Sequence, residues 1–462
     1  MFMGLGKADI TPREAMVMMG YGDRDHRSEG VHDPLWVYAL YVEQKGKDPI
    51  VWFSTDVCLF GSGFANALKE EIAKATGIGA SCMQLQGTHT HSGPNVYALH
   101  TESGKVEKAY FALLSAQFSK ALKEAKASKK ESYLLLRQGE GSIGVNRRGL
   151  DKKIDNRLFL LDAVDEKGTL LFSLFYYSCH LTALGVENYL ISADWLDPVR
   201  TQYEKEHKVP LMFIQGAQGN IDPWTRGVLD MSDPDQAKGV DFAKVQQIGD
   251  RLYKEIDAIR STNIVSTIKS LRFKSFTLAL PLLFGTLSQE EIEQKIWGWK
   301  EEIGSFLGMK TEDVPENDTV NNLIKKKCVE IGASSETTEH LVRTQFTYNQ
   351  FLWAYRDNLP YIDLQNGTMT IPVVVLGFGD LIIVGLPAEP LNDFNLDFAK
   401  QFPNKMVVAS GLVNGYFGYF PHLNNFSEEQ SEALYETIST VFAPHASTVV
   451  VKKVAEEIKN WH

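Results

Sequence analysis

The sequence has few cysteines, no long apolar run and no cluster of basic residues. The 462 residues include four cysteines, and none of them forms a C-x-x-C pair. This scarcity argues against a disulfide framework or a cysteine zinc site and favours a reducing compartment. No apolar stretch approaches the roughly 18 residues of a membrane span, and the N-terminus lacks the pattern of a secretory leader. We therefore expect a cytoplasmic protein without stable membrane insertion.

The charge balance excludes one further class of partner. The chain has 47 basic and 58 acidic residues, a net charge of −11, and no basic run that could track a phosphate backbone. Nucleic acid is therefore not an expected partner. With 44% hydrophobic and 11% aromatic residues, the chain has ample material for a buried core and an enclosed site for a small-molecule substrate.

Strand-like and helix-like segments alternate along most of the chain. Residues 48–57 are β-branched and aromatic, residues 63–76 have helical spacing, and residues 82–86 form another apolar run. Hairpin-like pairs occur elsewhere, so the sequence predicts an α/β fold with a mixed β-sheet core flanked by helices. Residues 288–361 have helical spacing without strand signals. We interpret residues 1–462 as one catalytic domain that carries this helical insertion.

Polar residues follow several of the predicted strands, where α/β proteins commonly bind ligands. His89 and His91 form an H-x-H pair between glycines, and both side chains project to one side if the chain is extended. Such a pair can bind a metal, although most H-x-H loops are solvated. His180 follows the predicted strand 170–177 and can be either a ligand or an ordinary core histidine. The two readings remain open on local pattern alone.

Two carboxylates and one guanidinium also lie near the ends of predicted strands. Asp222 ends the glycine-rich loop 216–222, which lacks the spacing of a phosphate-binding loop, and Glu389 leaves a strand between two prolines. Arg147 is either a surface cation or a group aimed at an oxyanion. Their shared position at strand ends is a stronger signal than any of them alone.

Seven motifs in order along the chain resemble those of the neutral ceramidase family. Together with MMGYG at 18–22 they span nearly the whole sequence: GTHTHSGP at 87–94, NRR at 146–148, SCH at 178–180, SADW at 192–195, GAQGNIDP at 216–223, LPAE at 386–389 and YETISTVFAPHA at 435–446. Members of that family are zinc-dependent amidases that hydrolyse the N-acyl bond of ceramide. The resemblance implies the same type of fold and chemistry here.

The resemblance also implies residue roles. His89, His180, Glu389 and Tyr419 match the zinc ligands, and Tyr416 is a close competitor of Tyr419. A further set matches residues around the reacting carbonyl, with roles in proton transfer or oxyanion stabilisation: His91, Arg147 and Tyr435. One Zn²⁺ that lowers the pKa of a bound water to about 7 is the expected cofactor.

Asp222 departs from the family pattern. In neutral ceramidases a serine follows Gly-Asn-Leu, whereas here Gly-Asn-Ile is followed by Asp222. An ionised carboxylate cannot donate a hydrogen bond, but it can orient or deprotonate a metal-bound water or hold a second divalent ion. We therefore expect a smaller or more polar substrate than ceramide. The alternatives are a metal-dependent lyase with Asp222 as the base and a non-catalytic ligand-binding relative.

Overall fold

Two mixed β-sheets with helices packed against them form the architecture, which confirms the predicted α/β class. The structure is a computed structural model that describes residues 1–97, 104–230, 236–315, 319–352, 355, 358–427, 434–459 and 461. The strands in these ranges are β1 (Phe2–Asp9), β2 (Gly30–Val31), β3 (Trp36–Glu43), β4 (Ile50–Thr55), β5 (Met83–Gly87), β6 (Lys130–Glu140), β7 (Gly144–Asn146), β8 (Arg157–Asp165), β9 (Leu170–Tyr177), β10 (Leu190–Ile191), β11 (Leu211–Gln215), β12 (Ile221–Pro223), β13 (Ser266–Ile268), β14 (Arg272–Pro281), β15 (Ile362–Asp363), β16 (Thr368–Phe378), β17 (Leu381–Gly385), β18 (Glu389–Pro390), β19 (Met406–Ser410) and β20 (Tyr419–Phe420).

The α-helices pack against these sheets and against one another. They are α1 (Ser62–Thr76), α2 (Gly104–Ser128), α3 (Leu196–His207), α4 (Phe242–Arg260), α5 (Gln289–Leu307), α6 (Thr319–Ile331), α7 (Ser335–Leu352), α8 (Asp393–Gln401), α9 (Tyr435–Ile438) and α10 (Ala446–Ile458). In α4 the buried positions Val245, Ile248, Leu252 and Ile256 recur at helical spacing, and Asp241 caps the first turn through the backbone N–H of Lys244.

The larger sheet has nine strands within the described residues, in the order β11-β9-β8-β6-β1-β3-β4-β5 with β13 beside β6. Both pairs at its edges, β4 with β5 and β9 with β11, are parallel. All residues of β4, β5 and β11 are buried, as expected for parallel strands that are covered on both faces. The two edge strands of this sheet contact each other, since Gln86 Nε2 in β5 donates a hydrogen bond to Gln215 O in β11 at 3.0 Å.

The smaller sheet contains β14, β16, β17 and β19, with β15 beside β16. Its last pair, β17 with β19, is also parallel, so both strands end at the same edge. Ser410, the last residue of β19, donates its hydroxyl to Gln215 O at 2.6 Å. The carboxyl ends of parallel strands from both sheets therefore meet at one place.

Helices α5, α6 and α7 lie within residues 288–361, the segment in which the sequence predicts a helical insertion. Helix α5 begins with a capping box formed by Ser288 and Glu291. The three helices enclose a small apolar core of their own, which includes Ile303, Ile324 and Tyr348.

None of the helices in the described ranges is both long and apolar enough to cross a bilayer. All four cysteines, Cys58, Cys82, Cys179 and Cys328, are unpaired thiols.

Asp197, in the first turn of α3, gives a prediction about stability and pH. Burial raises the pKa of Asp197 from 3.8 to about 6, and the carboxylate of Asp33 adds to the effect. Because the folded pKa lies above the unfolded one, this group favours folding below pH 4 and loses that contribution as the pH rises to 6. We expect Asp197→Asn to raise the free energy of unfolding by about 1–2 kcal/mol at pH 8 and to leave it unchanged at pH 4.

Urea unfolding of the wild type and the variant at both pH values measures this difference. The exposed Asp151 provides the control substitution Asp151→Asn, which we expect to be neutral at both. A variant at Asp197 that is less stable than the wild type at pH 8 would contradict the argument.

Candidate metal centre and active site

Three side chains from different strand ends converge where the two sheets meet. His89 follows β5, His180 follows β9, and Glu389 begins β18 shortly after β17. All three are buried, with exposed fractions of at most 2%. The Nε2 atoms of His89 and His180 lie 3.2 and 3.1 Å from the same atom, Glu389 Oε2. Of the residues described, these three form one of two groups whose donor atoms lie close enough to hold a metal ion.

The outer nitrogen of each imidazole has a backbone partner. His89 Nδ1 lies 2.9 Å from Cys58 O, and His180 Nδ1 lies 3.1 Å from Ile221 O. A carbonyl oxygen only accepts, so each Nδ1 donates a proton to its carbonyl, and Nε2 is the nitrogen of each ring that faces Glu389. Outer hydrogen bonds of this kind orient histidine ligands in metal sites.

Glu389 remains ionised in this setting. Burial disfavours its charged form, but the imidazoles of His89 and His180 outweigh burial and hold the pKa of Glu389 well below its usual range. Tyr416 donates its hydroxyl to the second oxygen, Glu389 Oε1, at 2.9 Å. The carboxylate is therefore fixed at both oxygens.

His91 lies beside this group, although the backbone does not follow the extended path that the sequence analysis assumes. His89 has a φ of 75°, so a left-handed turn, not an extended segment, brings His91 Nε2 to 3.5 Å from His89 Nε2. Within the described residues, His91 Nδ1 is buried and has no hydrogen-bond partner. Burial and its two histidine neighbours lower the pKa of His91 well below its usual value, which keeps the ring neutral. The second donor group comprises Cys58, His89 and His91.

Asp222 lies on the outer side of His180. Its Oδ1 is 3.4 Å from His180 Nδ1 and accepts a hydrogen bond from the Thr182 hydroxyl at 3.2 Å. Its Oδ2 is 3.5 Å from Arg147 Nη1. Burial opposes ionisation, but Arg147 and His180 outweigh burial and lower the pKa of Asp222. Asp222 belongs to neither of the two donor groups found among the described residues.

Arg147 is buried and spans several partners at once. Its Nε donates to Glu436 Oε1 at 2.7 Å, and its Nη2 donates to Gly219 O at 2.8 Å and to the Tyr419 hydroxyl at 3.2 Å. The neighbouring Arg148 donates to the other oxygen of Glu436 at 2.9 Å. This paired arrangement fixes the guanidinium plane of Arg147.

The three tyrosines of the sequence analysis have different neighbours. Tyr416 contacts Glu389, whereas the hydroxyl of Tyr419 accepts a hydrogen bond from Arg147. Tyr435 packs edge-on against Tyr419 at 5.2 Å and against Phe346 of α7 at 5.0 Å between ring centroids. The helical segment 288–361 thus reaches the wall of the site. Burial and the charge of Glu389 raise the pKa of Tyr416 and Tyr419 well above their usual value.

Sequence reasoning did not identify Glu436, Thr182 or the carbonyl of Cys58 as parts of the site. Glu436 had a usable signal, because two adjacent arginines that become buried need a nearby acid and YETIST contains one. Thr182 and Cys58 had none, since their roles arise only from the way that distant loops meet.

A sequence profile described as "Neutral/alkaline non-lysosomal ceramidase, N-terminal" matches residues 1–452. The chain belongs to this family. The match confirms the resemblance seen in the motifs.

Curated ceramidases are similar at low identity. Neutral ceramidase of Pseudomonas aeruginosa is 30% identical over 247 residues, which are 48% of this chain and 36% of that protein. Neutral ceramidase B of Dictyostelium discoideum is 23% identical over 518 residues, which are 96% of this chain and 70% of that protein. The alignment with the Pseudomonas protein thus spans about a third of its length.

The fold is similar to a solved ceramidase structure. The crystal structure of neutral ceramidase from Pseudomonas aeruginosa superposes with a TM-score of 0.69 at 19% identity, over 98% of this chain and 73% of that one. At this identity the similarity establishes the shared fold.

Proposed function

We propose that this chain is a zinc-dependent hydrolase that cleaves an N-acyl amide bond with an activated water. The observation that carries the proposal is the convergence of His89 Nε2 and His180 Nε2 on Glu389 Oε2 within 3.2 Å. Because Nδ1 of each ring is bonded to a carbonyl, the two Nε2 atoms and Glu389 Oε2 are the atoms that would hold a divalent cation in place of the hydrogen bonds between them. Two imidazoles with one carboxylate form a common catalytic zinc set.

When bound, the ion supplies Lewis acidity and lowers the pKa of a coordinated water to near neutrality. His89, His180 and Glu389 would hold it. Tyr416 donates to Glu389 Oε1, the oxygen that does not contact the histidines, and is one candidate for a fourth contact to the ion. Tyr419, the ligand implied by the family resemblance, stays a prediction, because its hydroxyl is bonded to Arg147 in this structure.

The surrounding residues have separate tasks in this scheme. His91 is neutral and its Nε2 lies 3.5 Å from His89 Nε2, so in this proposal Nε2 accepts a proton during attack on the carbonyl and returns it to the leaving amine. The Tyr419 hydroxyl accepts from Arg147, which leaves its own proton to donate to the oxyanion of the tetrahedral intermediate. Tyr435 packs against Tyr419 and limits its movement.

We propose a substrate that is smaller or more polar than ceramide. The support is the buried charge next to the centre, where Asp222 lies on the outer side of His180 and Arg147 contacts the hydroxyl of Tyr419. Buried charges so close to the centre favour a substrate with hydrogen-bonding groups over one with a long alkyl chain. The four unpaired thiols are compatible with action in the reducing cytoplasm, which we propose as the location.

The contacts of Asp222 argue against the lyase alternative. Both of its oxygens are engaged, one by Thr182 and His180 and the other by Arg147, so neither is free to abstract a proton from carbon. We interpret Asp222 as a group that orients His180 from its outer side, as carboxylates do for many histidine ligands.

Metal removal and substrate screening test the proposal together. We expect the purified protein to contain about one zinc per chain, to lose hydrolysis of N-acyl substrates after dialysis against a chelator, and to regain it with Zn²⁺. The panel should include ceramide, N-acyl amino acids and short N-acyl amines, with mass spectrometry of both products. Full activity in metal-free protein, or a product formed by elimination, would overturn the mechanism.

A further inference from the structure

A cavity of about 200 Å³ lies between helix α1 and the smaller sheet. Its polar lining includes Ser62 and Lys69 from one face of α1, together with Asn414 from the segment after β19. Its apolar lining includes Met83 and Phe417. The cavity thus has a cationic group at one side and hydrocarbon at another.

Lys69 has no counter-ion in this cavity. The residue is 9% exposed, and its ammonium donates to Asn414 Oδ1 at 2.5 Å. Asn414 Oδ1 also accepts the backbone N–H of Leu85, and it is the only acceptor that the described residues provide for Lys69. Burial alone lowers the pKa of Lys69 to about 8, with no charged neighbour in the described part of the chain to offset it. A buried ammonium in this state gains free energy from any anion that reaches it.

Ser62 provides a second, independent sign of a missing partner. Its side chain is 6% exposed, and its hydroxyl oxygen is buried without a hydrogen-bond partner among the described residues. Ser62 and Lys69 are seven positions apart on α1, which places them on the same helix face. Buried hydroxyls are nearly always paired in folded proteins, so an unpaired one that lines the same cavity as an ammonium without a counter-ion indicates a ligand site.

We propose that Lys69 and Ser62 bind the carboxylate group of a small organic acid in this cavity. One carboxylate oxygen accepts from the Lys69 ammonium and the other from the Ser62 hydroxyl. The cavity volume equals that of about six or seven water molecules in the liquid. The cavity can therefore hold an acid of about four to six carbons. A single cation and partly apolar walls match a monoanion with a short alkyl tail better than a dianionic phosphate, which needs more donors.

Calorimetric titration with butyrate tests the site. Because carboxylates also bind metals, the titration is repeated with the His180→Ala variant, in which the metal centre is disabled. We expect butyrate to bind both proteins, Lys69→Met to weaken binding at least 10-fold, and Ser62→Ala to weaken it several-fold. Lys74→Met is the matched control on the same helix, because Lys74 is exposed and paired with Glu71, and we expect it to leave binding unchanged.

Two further ligands sharpen the test. Butyramide has the same shape without the charge, and inorganic phosphate has charge without the alkyl tail, so we expect neither to bind at comparable concentration. If the Lys69→Met variant fails to fold, the Lys69→Gln variant is used in its place, because glutamine retains a donor for Asn414. Butyrate binding that survives loss of the Lys69 charge, equal binding of butyramide, or tighter binding of phosphate would overturn the proposal.

Discussion

Replacing His180 with alanine is expected to abolish zinc binding and to lower kcat by about 1,000-fold or more, because the change removes one of three converging donor atoms and the catalytic power of the ion with it. Metal content by mass spectrometry of the protein and initial rates of amide hydrolysis measure the two losses. They should occur together in the same preparation.

Because His180 is fully buried, its removal also creates a cavity, and folding must be checked separately. The variant His180→Gln fills most of the space and keeps the polarity, and we expect it to fold and still to lose metal. His340→Ala is a control at an exposed histidine that pairs with Glu302 far from the centre, and we expect normal activity. Wild-type rates in a folded, metal-free His180→Gln protein would contradict the assignment.

The second large effect is expected for Arg147→Lys, with a loss in kcat of about 100-fold and little change in KM. Lysine keeps the positive charge but has a single nitrogen. It cannot reach Glu436, the carbonyl of Gly219 and the hydroxyl of Tyr419 at the same time. The orientation of Tyr419 is then lost, and with it the donor for the oxyanion.

Arg148→Lys is the matched control for this substitution. Arg148 also pairs with Glu436, but its Nη2 donates to Asn425 O, whereas Nη2 of Arg147 donates to Tyr419. We expect it to lower stability modestly and to leave kcat within a few-fold of the wild type. Equal losses of kcat in the two variants would mean that Arg147 acts only through the general stability of the loop.

The sequence predicted the chemistry of the site better than its geometry. His89, His180 and Glu389 could be named because each follows an apolar run and because the motifs resemble those of a known family. The structure brings these three together. Their approach depends on the meeting of β5 with β11 across a nine-stranded sheet, and no local pattern specifies pairing at that distance.

The turn at His89 illustrates the same limit at short range. Alternation in an extended segment predicts that His89 and His91 point the same way, and the side chains do meet. They meet through a positive φ, which histidine adopts more often than most residues but which nothing in the local sequence specifies. Likewise the sequence GYFGY does not show whether Tyr416 or Tyr419 contacts Glu389, because that contact depends on the path that residues 411–420 take past Glu389.

The three converging donors come from chain segments up to 300 residues apart. A partly folded intermediate that contains only the larger sheet lacks the complete site, because Glu389 lies outside that sheet, in the short β18–β20 pair that follows β17. A metal ion would therefore bind at this centre late in folding, after the larger sheet and the region around Glu389 have both formed. Occupancy of the centre would then report that the whole chain has reached its final arrangement.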